Sequence, residues 1–115
     1  MAYIPRWDYN LHMRIISIPA LKAFWDQPEY ADAQVPLLAW LDVATKAAWQ
    51  QPADIKAQFG NASVLKNRRV VFNIKGNDYR LVVAVAYRFQ ALYIKFVGTH
   101  AQYDAICAET VEQFR

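Results

Sequence analysis

The sequence of 115 residues is short of cysteine, glycine and histidine, and it contains no long apolar run. Its one cysteine, Cys107, cannot form an internal disulfide, and no His/Cys group has the spacing of a zinc site. No stretch of about 18 apolar residues is present, so we expect no contact with a membrane interior. The N-terminus also lacks the pattern of a secretory signal. We therefore expect a cytoplasmic protein of one domain.

Acidic residues are scarce in one part of the chain. Residues 56–100 carry eight Lys/Arg and one acid, Asp78, whereas residues 1–55 carry four Lys/Arg and six acids. Such asymmetry is typical either of a surface for a polyanion or of a solvated face. Metal-assisted phosphodiester cleavage uses clustered carboxylates, so we predict neither a metal-dependent nuclease nor any cofactor. Gly60 and Gly76 are isolated turn glycines and do not form a phosphate loop.

Apolar residues make up 56% of the chain, which is enough for a packed interior. Residues 1–12 show no period, and we interpret them as a leader or extension before a single domain over 13–115. A short strand is predicted at 14–18. Apolar residues at helical spacing predict helices at 20–27, 34–49 and 52–59. That spacing favours core packing over base stacking for the tryptophans in these segments.

The second half of the chain changes to the period of a β-sheet. Residues 68–75, 79–89 and 91–99 predict three strands joined by tight turns, which should pair antiparallel. The Gly76-Asn77 pair should supply the positive φ angles of the first turn. Residues 100–115 predict a C-terminal helix, with Cys107 on its packing face.

Side chains alternate along a strand, so parity predicts two different faces. One face is entirely apolar: Val70, Phe72, Ile74, Leu92, Ile94 and Phe96. Val97 has the opposite parity and shares the second face with Lys95. The opposite face collects polar side chains around the small residues Ala84 and Ala86: Arg69, Asn73, Lys75, Arg80, Arg88 and Lys95. Long basic side chains around a floor of small ones favour a surface that holds an RNA strand.

RNA carries its own nucleophile, the 2′-hydroxyl group. A protein that cleaves RNA need only align that group, move two protons and stabilise the added negative charge. Lys and Arg can stabilise the charge, and His100 or Tyr103 can move protons. From the residues alone, a catalytic or phosphate-contacting role for His100 and a role as a helix cap or solvated residue are equally consistent with its position.

Two motifs carry a family resemblance: NIKGN-x-YRLV at 73–82 and FVGTH-xx-YD at 96–104, with MRIIS at 13–17 before them. The sequence resembles the HigB family of type II toxin–antitoxin systems and, more remotely, the RelE toxins. The resemblance implies an α+β, RelE-like fold: a small twisted, mainly antiparallel sheet with helices on one face. It also implies a metal-independent, ribosome-dependent mRNA endoribonuclease. Its antitoxin would be a helix-turn-helix protein of the HigA type, through which alone it would contact operator DNA.

Carried over to this sequence, the resemblance gives a catalytic group of Lys75, Arg80, His100 and Tyr103. Arg80 and Lys75 would bind the scissile phosphate, and His100 or Tyr103 would shuttle protons. The RNA-binding set would grip flanking phosphates or ribosomal RNA: Lys66, Arg68, Arg69, Asn73, Arg88 and Lys95. Two alternatives remain, namely a ParE-like toxin that acts on gyrase by protein binding, and an RNA-binding module without catalysis.

Overall fold

The computed structural model describes residues 13–114, so the proposed leader at 1–12 lies outside the described residues. Their strands form one five-stranded sheet in the order β1-β5-β4-β3-β2. Its strands are β1 (Arg14–Ile16), β2 (Ser63–Val64), β3 (Arg69–Ile74), β4 (Tyr79–Ala86) and β5 (Ala91–Thr99). The strands pair antiparallel except β1, which runs parallel to β5. The predicted α+β class with a mainly antiparallel sheet is confirmed.

Three helices cover the first face of the sheet: α1 (Ile18–Trp25), α2 (Gln34–Lys46) and α3 (Pro52–Gln58). A 3₁₀ segment, Pro28–Ala33, links α1 to α2. The core centres on Phe72, whose ring centroid lies 5.3 Å from that of Trp40 and 5.0 Å from that of Phe59. Trp25, Trp40 and Trp49 are all buried. The predicted core role of these tryptophans is therefore confirmed.

The strands β3, β4 and β5 form the predicted meander. The loop between β3 and β4 spans residues 75–78 and is closed by the amide of Asp78, which donates to the Lys75 carbonyl at 3.1 Å. Positive φ angles occur at Lys75 (52°) and Gly76 (64°). The expected positive φ at Asn77 is wrong, because the turn begins one residue earlier.

A β-bulge in β5 changes which side chains face the core. Val82 pairs with Phe96 while Val83 pairs with Ile94, so Lys95 is the extra residue. Beyond it the alternation is inverted: Val97 packs in the main core, and Phe96 lies on the second face with Val71 and Val82. The predicted placement of Phe96 and Val97 is wrong for this reason, since parity counting assumes an unbroken pleat.

The chain after β5 is helical only over α4 (His100–Asp104), so the predicted helix to residue 115 is wrong. Residues 105–114, here called the C-terminal segment, cross the second face, where Ile106, Ala108 and Val111 pack against the cluster around Phe96. Cys107 is exposed rather than packed, and a hydrogen bond with the Thr110 side chain lowers the pKa of its thiol. No helix within residues 13–114 has the length and apolarity needed to cross a membrane.

Candidate active site

Arg80 lies at the start of β4 on the second face, directly opposite Gly98 of β5. Its guanidinium carbon is 5.8 Å from the centre of the Tyr103 ring, within cation–π range. Its Nη1 donates to the carbonyl of Asn77 at 3.1 Å. The guanidinium is therefore held between the hairpin loop and α4, and Arg80 is half-buried.

The absence of a side chain at Gly98 lets α4 lie against the sheet here. A Cβ at this position would lie 2.6 Å from Gln102 Oε1 and 2.7 Å from Phe96 Cζ. The first turn of α4 is fixed by a capping box, in which the Gln102 amide donates to Thr99 Oγ1 and the Thr99 amide donates to Gln102 Oε1. Gln102 Nε2 also donates to the Tyr30 hydroxyl at 3.3 Å, which joins α4 to the helical layer.

His100 is the first residue of α4 and lies three positions before Tyr103, so the two are neighbours on the helix surface. Its side chain is 54% exposed, and Nδ1 is 3.7 Å from Asp104 Oδ2. Its amide donates to the Asp78 carbonyl at 3.1 Å, which ties the start of α4 to the hairpin loop. The structure thus brings Arg80, His100 and Tyr103 to one rim of the sheet.

Lys75, the fourth predicted catalytic residue, points to the other side of the hairpin loop. Its ammonium lies 2.9 Å from Asp78 and 3.3 Å from Asp32, which belongs to the helical layer. These two carboxylates raise the pKa of Lys75. The expectation that Lys75 shares a face with Arg80 is wrong, because the positive φ at Lys75 takes the residue out of the strand pleat.

Asp32 also accepts a hydrogen bond from the hydroxyl of Tyr79, a buried residue of the main core. This bond is the main cause that raises the pKa of Tyr79 to about 12 and lowers that of Asp32. The network connects the hairpin loop to the helices but does not reach the Arg80 guanidinium.

Two members of the predicted RNA-binding set hold the C-terminal segment. Arg69 is only 5% exposed; it donates to the Val111 carbonyl at 2.7 Å and pairs with Glu112 at 2.9 Å. Lys95 pairs with the same carboxylate at 2.8 Å. Arg69 is therefore not part of the exposed basic surface. The C-terminal segment buries it, and its charge is neutralised by Glu112, 43 positions later in the chain.

The remaining members are exposed: Lys66, Arg68, Asn73 and Arg88. Lys66 and Arg68 flank Asn67, whose side chain donates to the Glu109 carbonyl at 3.0 Å. Asn73 pairs with Arg80 in the β3–β4 register, so it extends the Arg80 rim across the second face. Arg88 lies in the 3₁₀ turn Tyr87–Phe89 at the opposite end of β4.

Three residues that shape the site were not predicted: Gly98, Gln102 and Tyr30. The spacing of Thr99 and Gln102 matches a capping box and could have identified Gln102 from the sequence. No local pattern connects Tyr30 to α4, because the two are 72 residues apart. Within residues 13–114, no group of three or more His, Cys, Asp or Glu side chains is arranged to hold a metal ion.

The fold and this rim can be compared with known proteins. A family model described as the RelE-like toxic component of a toxin–antitoxin system matches residues 33–106, which include Arg80, His100 and Tyr103. The chain is also 32% identical over 98 residues to the mRNA interferase toxin HigB of Escherichia coli K12, covering 84% of this chain and 92% of that protein. Proteins named mRNA interferase HigB from Escherichia coli O157:H7 and Shigella flexneri match equally. The chain belongs to the HigB toxin family.

Proposed function

We propose that this protein is an mRNA endoribonuclease, the toxin of a type II toxin–antitoxin system. The observation that carries the proposal is the rim where Arg80 contacts Tyr103 and where His100 lies one helical turn before Tyr103, in a chain whose relatives are named mRNA interferases. Each side chain at the rim is of a type that the cleavage of RNA by its own 2′-hydroxyl requires.

Arg80 binds the scissile phosphate and stabilises the negative charge that develops there. Its two anchors, the Asn77 carbonyl and the Tyr103 ring, fix the guanidinium before substrate arrives, so little reorganisation is needed during the reaction. Of His100 and Tyr103, one accepts the proton of the 2′-hydroxyl and the other protonates the leaving 5′ oxygen. Because side chains fill every role, the proposed reaction is metal-independent.

Lys75 acts through the hairpin loop in this proposal. Its ion pair with Asp78 stabilises the loop that presents the Asn77 carbonyl to Arg80, so Lys75 is a positioning residue. Asn73, next to Arg80 in the register, contacts the nucleotide beside the cut. Lys66 and Arg68 add phosphate contacts.

The proposal includes the partners that the family resemblance implied. The ribosome presents the message in the cytoplasm, and a HigA-type antitoxin with a helix-turn-helix domain neutralises the toxin and binds the operator. The exposed cations on the β3–β5 part of the chain suit contacts with RNA, whose backbone is a polyanion.

The test is cleavage of a defined mRNA by the purified protein, with and without ribosomes, in a buffer that contains the Mg²⁺ that ribosomes need. Primer extension should show cuts with ribosomes present, and prior dialysis of the protein against a metal chelator should leave them unchanged. Arg80→Ala should lower the cleavage rate about 100- to 1,000-fold, as for loss of one group that stabilises the transition state. Lys46→Ala, on the opposite face, is the control. Full activity of Arg80→Ala would contradict the assignment, and gyrase inhibition without any cut would favour the ParE-like alternative.

A further inference from the structure

The second face has another exposed end, about six residues of β4 away from Arg80. Ala84 pairs with Tyr93 and Ala86 pairs with Ala91, while Ala91 also pairs with Arg14 of β1. Directly paired residues lie on the same face of a sheet. Tyr93 and Arg14 therefore stand beside a row of three alanines, here called the alanine floor (Ala84, Ala86 and Ala91), of which Ala84 and Ala86 are partly exposed and Ala91 is buried beneath the surface.

Aromatic rings at this end are open to solvent. Tyr93 is 37% exposed although it lies within a strand, and Phe89 in the neighbouring turn is 69% exposed. The guanidinium of Arg88 lies 5.9 Å from the centre of the Phe89 ring, and the Lys95 ammonium lies 5.7 Å from that of Tyr93. Exposed rings beside cations are a feature of surfaces that bind single-stranded nucleic acid.

Three arginines at this end of the second face have no acidic partner among the described residues, unlike the two basic residues under the C-terminal segment. Arg14, Arg68 and Arg88 are exposed, and no carboxylate among residues 13–114 lies within ion-pair distance of them. The main chain of Arg68 lies beside Val85, between Ala84 and Ala86 in β4, because its carbonyl accepts the Val85 amide at 2.8 Å, and its positive φ of 55° takes it out of the strand pleat. Arg69 and Lys95, by contrast, share Glu112.

We propose that the alanine floor, with Tyr93 and these three arginines, is a second RNA-binding surface of the protein. An unpaired base stacks on Tyr93, the small floor leaves room for its sugar, and Arg14, Arg68 and Arg88 bind the adjacent phosphates. The inference rests on the proposed function, to which it adds a grip on the message away from the cut.

The position of this surface sets its relation to the active rim. Ala86 lies six positions after Arg80 in β4, and at about 3.3 Å per residue the two sites lie roughly 20 Å apart. Both are on the second face, and the C-terminal segment covers the sheet between them. An RNA strand that occupies both sites would contact the protein at the scissile phosphate and again several nucleotides away. We therefore assign this surface to the mRNA that is cut.

The experiment is fluorescence anisotropy with a labelled 12-nucleotide 2′-O-methyl RNA, which the protein can bind but cannot cut. Tyr93→Ala should weaken binding about 5- to 150-fold, the range for loss of one stacked base, whereas Tyr93→Phe should bind as the wild type does. Arg14→Gln should reduce the slope of log affinity against log salt by about 0.7. Lys46→Gln removes one charge from the opposite face and should change neither quantity.

Equal binding by Tyr93→Ala and wild type, or an equal loss in Lys46→Gln, would overturn the proposal. A loss confined to co-sedimentation with ribosomes would assign the surface to ribosomal RNA and overturn its assignment to the message. Thermal melting of each variant separates binding from folding. If Tyr93→Ala weakens binding but the wild type cuts no mRNA, the proposed function is wrong and the second RNA-binding surface is supported. If the wild type cuts mRNA but Tyr93→Ala binds normally, the proposed function is supported and the second surface is wrong.

Discussion

The two faces of the sheet are closed in different ways. Three helices and a group of large aromatic side chains close the first face, with Trp40, Phe72 and Leu81 fully buried. A ten-residue segment without regular structure closes the middle of the second face through a small apolar cluster and the ion pairs of Glu112. Stability is therefore concentrated on the first face, and the second face is free to expose polar side chains at both ends.

The comparison is tested most strongly at Phe72. Phe72→Ala should lower the free energy of unfolding by about 3–5 kcal/mol, because it opens a cavity among Trp40, Trp49 and Phe59. Urea denaturation measures this loss. Phe96→Ala on the second face is the matched variant and should cost less, because the apolar cluster around Phe96 is smaller than the main core. A larger loss for Phe96→Ala would reverse the assignment of stability to the first face.

Glu112→Gln tests how the second face is closed. It removes the carboxylate that pairs with Arg69 and Lys95, leaving Arg69 with its contacts to main-chain carbonyls. The expected cost is about 1–3 kcal/mol, as for an interaction lost by a buried charged group. Denaturation should show this loss, and proteolysis should cut the C-terminal segment sooner. Asp42→Asn, which breaks an exposed pair with Lys46, should have little effect.

Thr99→Ala tests the support of the active rim. Loss of the cap should destabilise α4 by about 1 kcal/mol and lower cleavage, because α4 carries His100 and Tyr103. Thr99→Ser keeps the hydroxyl and should retain both properties. Normal cleavage by Thr99→Ala would show that the capping box does not position these side chains.

Tyr79→Phe should lower the free energy of unfolding most near neutral pH and least in strong alkali, because only the wild type can lose this hydrogen bond by ionisation. The folded pKa of Tyr79 is raised to about 12 from an ordinary value of 10, so the bond to Asp32 stabilises the fold fully below pH 10. That contribution is lost as pH rises through 12. The free energy of unfolding, measured between pH 9 and 12, should therefore fall more steeply with pH for the wild type than for Tyr79→Phe. Parallel curves would contradict the assigned role of this bond.

Local patterns in the sequence predicted the elements but not how distant elements meet. The meander and the helix that buries Trp40 follow from periodicity, although α2 ends at Lys46 and Trp49 is buried from the loop after it. The catalytic roles given to Arg80 and Tyr103 came from the family resemblance and stay predictions. The bulge at Lys95 inverted the parity of Phe96 and Val97, since an unpaired residue leaves no period to detect. Parity placed Arg69 on the basic face, but it could not predict that Arg69 is buried there, because its partner Glu112 was assigned to a helix that does not form.

The parallel pairing of β1 with β5 has a consequence for the order of folding. Links of four residues join β3 to β4 and β4 to β5, whereas β1 at residues 14–16 must find residues 91–93. Contacts close in sequence form faster than distant ones, so we expect the meander to assemble first and β1 to dock on its edge last. Arg14 arrives with β1. The surface around the alanine floor is therefore complete, with all three arginines, only after β1 has paired with β5.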